Sequence, residues 1–144
     1  MNDKKFEHLM SLIKYFDKPN LVAVPQIGDN LNFGLHTNST QDSFIFDLDR
    51  SGKIELKFKN QLRKESILLV RMDINGPPHI NPDGEAVSGS HIHIYKEGYG
   101  LKWAHELEEK LLTLPDKTNV LDIFRIFCDY CNISLENISI QGVI

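Results

Sequence analysis

At 144 residues, with 41% hydrophobic and 25% charged residues, the chain is long enough to bury a core of its own without a metal or disulfide to hold it, and too apolar to stay unfolded. A formal net charge of −4 argues against a surface coated for nucleic acid. No apolar run approaches the roughly 20 residues of a membrane helix, and Met1-Asn2-Asp3-Lys4-Lys5 leads into a charged segment, so the expectation is a cytoplasmic single domain over residues 1–144 with no membrane partner.

Phe6, Leu9, Met10, Ile13 and Phe16 recur at helical spacing until Asp17-Lys18-Pro19-Asn20, which predicts an amphipathic N-terminal helix. The stretch from Leu21 to Val24 reads equally as a strand or an extended crossing segment, ended by Pro25 and the Gly28-Asp29-Asn30 turn signal. From Phe33 onward the period becomes two. Phe44, Phe46 and Leu48 alternate with Ile45, Asp47 and Asp49, and Asp49-Arg50-Ser51-Gly52 has turn composition. Ile54, Leu56 and Phe58 then alternate with Lys53, Glu55, Lys57 and Lys59, which completes a predicted β-hairpin with one buried and one wet face. Ile67-Leu68-Leu69-Val70 is a continuous apolar run and predicts a central strand. Ile92 and Ile94, alternating with His91, His93 and Tyr95, predict another.

The stretch from Trp103 to Leu114 is compatible with a helix through Leu107, Leu111 and Leu114, or with a strand and loop ending at Pro115. Val120, Leu121, Phe124, Phe127, Cys128 and Cys131 form an apolar stripe with Asp116 or Thr118 available as its cap, which predicts a C-terminal helix. Cys128 and Cys131 lie within that stripe, so they read as small buried thiols and not as a redox pair. Ile138, Ile140 and Val143 suggest a last short strand. The expected architecture is α+β: an antiparallel sheet of about five strands, with the N-terminal and C-terminal helices packed on one face.

Charge is unevenly placed. Arg50, Lys53, Lys57, Lys59, Arg63, Lys64 and Arg71 stand against only Glu55 and Glu65, whereas the last third is acidic, which permits a basic face on an acidic protein. Chemistry concentrates from Arg71 to Trp103. The stretch from Met72 to Gly100 carries three of the six histidines, five of the nine glycines and three of the six prolines. Pro77 and Pro78 stiffen the approach to His79, and Asn81-Pro82-Asp83-Gly84 has strong turn composition. His91 and His93, two apart on a strand, share a face, with Tyr95 next in the row.

Three readings of these residues stand together. His79, His91 and His93, with Asp73 or Asp83, suit a divalent metal. Alternatively, His79, His91, His93 and Tyr95 act as a metal-free acid/base set in phosphoryl transfer, supported by Arg71 and Lys96. In the blandest, His91 and His93 form only the polar face of an edge strand. Lys57 and Lys59, together with Tyr99 and Trp103, offer phosphate contacts and stacking surfaces for single-stranded RNA, or equally a solvated hairpin face. No nucleotide-binding glycine loop is present.

Asp73-Ile74-Asn75-Gly76-Pro77-Pro78-His79, continuing through Asn81-Pro82-Asp83-Gly84, His91-Ile92-His93-Ile94-Tyr95 and Glu97-Gly98-Tyr99-Gly100, resembles the central motif of a domain-of-unknown-function family of small bacterial proteins. The resemblance extends over most of the chain, to the Gln141-Gly142 ending, and departs after Ala104 at His105 and the acidic run. It implies a place among genes of mobile elements and defence islands. Gly89-Ser90-His91 is also similar, locally, to the Gly-Ser-His strand of small HicA-type toxins, which cleave RNA with that histidine. The functional expectation is an RNA-directed protein of a toxin or defence system, a ribonuclease in its catalytic form, using the His-rich site. The alternative is a non-catalytic protein-binding module, such as a phage or mobile-element inhibitor of a host defence protein, working through the acidic surface and the Tyr99/Trp103 loop.

Overall fold

The computed structural model describes residues 1–52, 57–110, 112–114 and 119–141. Helix α1 (Asp3–Ser11) opens at Asn2, whose side chain accepts from the Lys5 amide and so satisfies one of the donors a helix start leaves orphaned. It ends at Ser11, short of the expected Ile13 and Phe16. Phe16 instead belongs to strand β1 (Tyr15–Phe16), where it is buried with its ring edge-on to Phe33. The physical reason is Lys14. Its fully buried ammonium donates to the carbonyls of Leu12 and Cys131, both at 2.9 Å, and to Met10 at 3.4 Å. Gathering these carbonyls draws the chain into an extended turn at Leu12 and joins the ends of the two helices.

A 3₁₀ turn at Pro19–Leu21 follows, and Val22 and Val24 are then buried. A parallel bridge joins Ala23 to Gln141. The expected last strand is reduced to that bridge among the described residues; Gly142 and Val143 lie outside them. Strands β2 (Asn30–His36), β3 (Ser43–Asp49), β4 (Phe58–Lys64), β5 (Ile67–Ile74), β8 (His91–Ile94) and β9 (Ala104–Glu106) complete the main sheet. The pair β6 (His79–Ile80) and β7 (Ala86–Val87) forms a separate two-stranded excursion between β5 and β8.

Among the described residues the sheet therefore has seven antiparallel strands in the order β1-β2-β3-β4-β5-β8-β9, where about five were expected. β4 is displaced from its expected position. The partner of β3 runs from Phe58 to Lys64, and its inward positions include Asn60, which is fully buried between Leu48 and Met72 on the neighbouring strands. A polar residue at an inward position hides the alternation. Lys53, Ile54, Glu55 and Leu56, where the partner strand was expected to begin, lie outside the described residues. The stretch from Trp103 onward resolves into β9 and a 3₁₀ turn at Leu107–Lys110; Leu111 and Pro115 lie outside the described residues.

Helix α2 (Val120–Tyr130) is capped by Asn119, which accepts from the Asp122 amide; the expected caps Asp116 and Thr118 lie outside the described residues. Phe46 of β3 stacks on both Phe124 and Phe127 of α2, at 5.6 and 5.4 Å between ring centroids. Each aromatic pair contributes about 1 kcal/mol beyond its area. Phe6 and Leu9 of α1 enter the same core. Both cysteines are free, buried thiols, and burial pushes each well above the ordinary thiol range. Among the described residues no helix is long and apolar enough to cross a membrane.

The sheet register places polar side chains in two rows on the face opposite Phe46. One row runs Asn30, Asp49, Lys59, Asp73, His91 and Glu106; the other runs Asn32, Asp47, Gln61, Arg71 and His93, and ends on the apolar Ala104. From Asp49 to Glu106 the first row alternates acid and base from strand to strand, a pattern in which each neighbour stabilises the next.

Candidate functional site

Arg71 and Asp73 stand two apart on β5, opposite His93 and His91 of β8, so four polar side chains share one patch. A close backbone approach sets this register. The Gly76 amide donates to Gly89 O at 2.9 Å, and a Cβ on Gly89 would fall 2.1 Å from the Gly76 carbonyl oxygen, so only glycine fits there. The β6–β7 excursion then folds back beside the patch. Its turn closes through Gly84 at φ 89°, and Asn81 docks it by pairing both its amide atoms with the backbone of Ala104, at 2.9 and 2.8 Å. His79 donates through Nε2 to Lys102 O at 2.8 Å. Its ring centre is thereby held 4.7 Å from that of His93 and 5.9 Å from that of His91.

The ring nitrogens of the two β8 histidines are fixed by their partners. His91 Nδ1 meets Ser88 O, and His93 Nδ1 meets Leu101 O at 2.8 Å. A carbonyl only accepts, so both Nδ1 atoms carry hydrogen and both Nε2 atoms point inward. Those two Nε2 atoms are 3.0 Å apart, and Asp73 Oδ2 lies 3.3 Å from that of His91 and 3.6 Å from that of His93. Arg71 closes the group: Nε donates to Asp73 Oδ1 at 2.9 Å, and Nη2 reaches Asp73 Oδ2 at 3.3 Å and His93 Nε2 at 3.2 Å.

Charge follows from this geometry. Burial pushes the Asp73 carboxyl up, but the hydrogen bond from His91 and the Arg71 charge outweigh it and hold the group far below the usual carboxylate range. Burial pushes His91 down, yet its hydrogen bonds to Asp73 and Ser88 and the Asp73 charge leave it above an ordinary imidazole. Asp73 is thus a carboxylate, His91 favours its protonated form, and His93 receives the Arg71 donor.

The expected row facing water is not what forms. His91 and His93 are only 2% exposed, because β8 is flanked by β5 and β9 and covered by the excursion, so β8 is not an edge strand. Tyr95 leaves the row. The strand ends at Ile94, and the Tyr95 ring lies against Phe6 of α1 with its hydroxyl donating to Met1 O, on the core side. Lys96, Tyr99 and Trp103 form a cluster of their own, with the Lys96 ammonium 5.7 and 5.4 Å from the two ring centres. Lys96 and Trp103 border a hollow of about 440 Å³ shared with Phe6, Tyr95 and His105. Lys57 precedes β4, whereas Lys59 stands in the polar row beside Asp73.

Arg71 connects the buried group to open space. Its side chain is 29% exposed, and it borders a hollow of about 370 Å³ lined also by Asn30, Asn32, Asp47, Asp49, Lys59 and Gln61. Among the described residues none accepts from its Nη1. Asp47 is occupied by Arg63 and Gln61. Sequence reasoning missed Gln61, Asn30 and Asn32 as lining residues; the signal available was the outward alternation of Asp47 and Asp49.

The model of a protein family described as a family of unknown function (DUF6978) matches residues 1–133. No curated protein and no solved structure matches the chain.

Proposed function

We propose that the chain, which belongs to this family of unknown function, is an RNA-directed protein of a toxin or defence system whose polar sheet face receives the nucleic acid at Arg71. The toxin or defence setting comes from the resemblance of the central motif; the chemistry comes from the face itself. The observation that carries the reading is the guanidinium of Arg71, anchored by Asp73 and His93 and bordering the hollow beside Lys59 and the amides of Gln61, Asn30 and Asn32. A held guanidinium matches a phosphate, and neighbouring amides match base edges or a ribose hydroxyl.

His91 and His93, buried as they are, serve as positioning residues that hold Arg71. His79, only partly buried at the rim of the excursion and with its ring 4.7 Å from that of His93, is assigned in this reading the role of exchanging a proton with the phosphodiester. The test is binding of a single-stranded RNA oligonucleotide by fluorescence anisotropy over a series of salt concentrations, with a gel assay for cleavage. Wild type binds at low salt; Arg71→Ala weakens binding about tenfold and lowers the salt slope by about 0.7, the value for one phosphate contact on a single strand. Any cleavage is lost in His79→Ala. Absence of binding at low salt contradicts the reading.

A second reading, the non-catalytic protein-binding module, is supported by the other hollow, where Phe6 and Trp103 stand beside the half-exposed Tyr99. It requires a partner whose binding falls with Tyr99→Ala and is indifferent to Arg71→Ala.

A further inference from the structure

We propose that Asp73, His91 and His93 form a binding site for one zinc-class divalent transition-metal ion, and that the Arg71 guanidinium is the cation this ion displaces. The three facing atoms, His91 Nε2, His93 Nε2 and Asp73 Oδ2, make a triangle with sides of 3.0, 3.3 and 3.6 Å. The circle through them has a radius of about 1.9 Å, so a point roughly 2.0–2.1 Å from all three, the length of zinc bonds to imidazole and carboxylate, lies just off their plane. Two neutral imidazoles aimed at each other across 3.0 Å repel through their lone pairs unless a positive particle lies between them. A proton on His91 answers that need with one charge; a divalent ion answers it with two and bonds all three atoms.

The outer partners are those of a metal centre. Each histidine donates its Nδ1–H to a backbone carbonyl, Ser88 O for His91 and Leu101 O for His93, which fixes ring orientation and raises the donor strength of Nε2. Ligand chemistry selects the ion: two nitrogens and one carboxylate suit zinc, iron(II), cobalt(II) or manganese(II), and leave calcium and magnesium short of oxygen. His79 is not part of the facing triangle; Asp73 stands where the sequence had suggested His79 as third ligand.

Arg71 Nη2 lies 3.2 Å from His93 Nε2, against the lone pair that the ion needs. Metal entry therefore expels Nη2 from the His93 lone pair and turns the partly exposed guanidinium, still held through Nε on Asp73 Oδ1, toward the hollow it borders. The metal half of this proposal stands without RNA, whereas the release of Arg71 as a phosphate contact rests on the RNA reading.

The test uses the full chain, stripped with EDTA, and titrated with Zn²⁺ by calorimetry and with Co²⁺ by visible absorption, in the absence of RNA. One ion per chain is expected, with no response to Mg²⁺ or Ca²⁺. Asp73→Asn and His93→Gln weaken Zn²⁺ binding by more than the roughly 10–100-fold typical of losing an outer partner, and Arg71→Ala tightens it. Nitrogen-detected NMR of the histidine rings in wild type supplies a readout that no folding defect confuses: Zn²⁺ shifts the Nε2 signals of two histidines and leaves their Nδ1 atoms protonated. Failure of both wild type and Arg71→Ala to take Zn²⁺ or Co²⁺ overturns the proposal, as does binding unaffected by the Asp73 and His93 changes. RNA affinity measured in EDTA and again with Zn²⁺ reports separately on the RNA reading; metal binding with no RNA binding refutes that reading and leaves the metal site standing.

Discussion

Substituting Asp73→Asn preserves volume and removes the one negative charge at the centre of the buried group. The amide oxygen can still accept from Arg71 Nε, which lies 2.9 Å from Oδ1 in the native chain. The new NH₂ group then faces Arg71 Nη2 and His91 Nε2, each 3.3 Å from the position of Oδ2. Donors confront donors, and the Arg71 cation loses its counter-charge beside a carboxylate site only 9% exposed. Removing one partner of such a group destabilises by about 3 kcal/mol, which for a chain of this size lowers Tm by roughly 6–12 °C. Urea denaturation of both proteins from pH 2 to pH 8 supplies the assay.

The sign of the pH dependence follows from the two shifts. Asp73 is depressed on folding, so its contribution is fully present above the ordinary carboxylate pKa of about 4 and is lost only as pH falls through its much lower folded value. His91 is raised, so its contribution is present below about pH 6.5 and lost as pH climbs through its folded value. The gap between wild type and Asp73→Asn is thus widest between those limits and survives well below pH 4. A gap under about 1 kcal/mol, or one that closes at an ordinary carboxylate pKa, refutes the charge-paired description.

Lys14 carries an independent prediction. Burial lowers its ammonium from 10.5 to about 8, so the unfolded chain binds the extra proton between those values and stability rises with pH across that window by up to about 3 kcal/mol from this group. Both buried thiols, raised on folding, act in the opposite direction above about pH 9 and are common to both proteins, so denaturation at pH 7, 9 and 10 should show the stability of wild type relative to Lys14→Met increasing with pH; a difference that does not change with pH contradicts the assignment. Gly89→Ala places a methyl 2.1 Å from Gly76 O and is expected to destabilise by about 2–3 kcal/mol. Gly84→Ala, in open space at φ 89°, should destabilise by about 1 kcal/mol; equal effects in thermal melts would show that the backbone approach at Gly76 is not tight.

Particular residues mark how far the sequence could be read. The Pro77-Pro78 approach, the turn at Asn81 to Gly84 and the spacing of His91 and His93 were enough to suggest that three imidazoles meet, because each signal is local. The partner of those histidines was not local. That Asp73 faces His91, and Arg71 faces His93, depends on which residue of β5 pairs with which of β8, and the Gly76–Gly89 contact that fixes it joins segments separated by the excursion. Tyr95 was misassigned because period two was extended one residue past the end of β8, where the chain turns its ring toward Phe6. Strand β4 was shifted because Asn60 occupies an inward position, and the end of α1 was overrun because nothing in Ile13 or Phe16 foretold that Lys14 would be buried among carbonyls. The α+β class was legible from helical spacing at both ends of the chain together with period-two alternation between them, and the antiparallel hairpins from that alternation.

The most direct test of the account is NMR mapping of a short single-stranded RNA onto the isotopically labelled chain, following backbone amides together with the arginine Nε–H groups. The account predicts that the Arg71 Nε–H and the signals of Lys59, Gln61 and Asn32 move together on titration, while Tyr99 and Trp103 stay fixed. Movement confined to Tyr99, Trp103 and α1, or no movement at all, would contradict it.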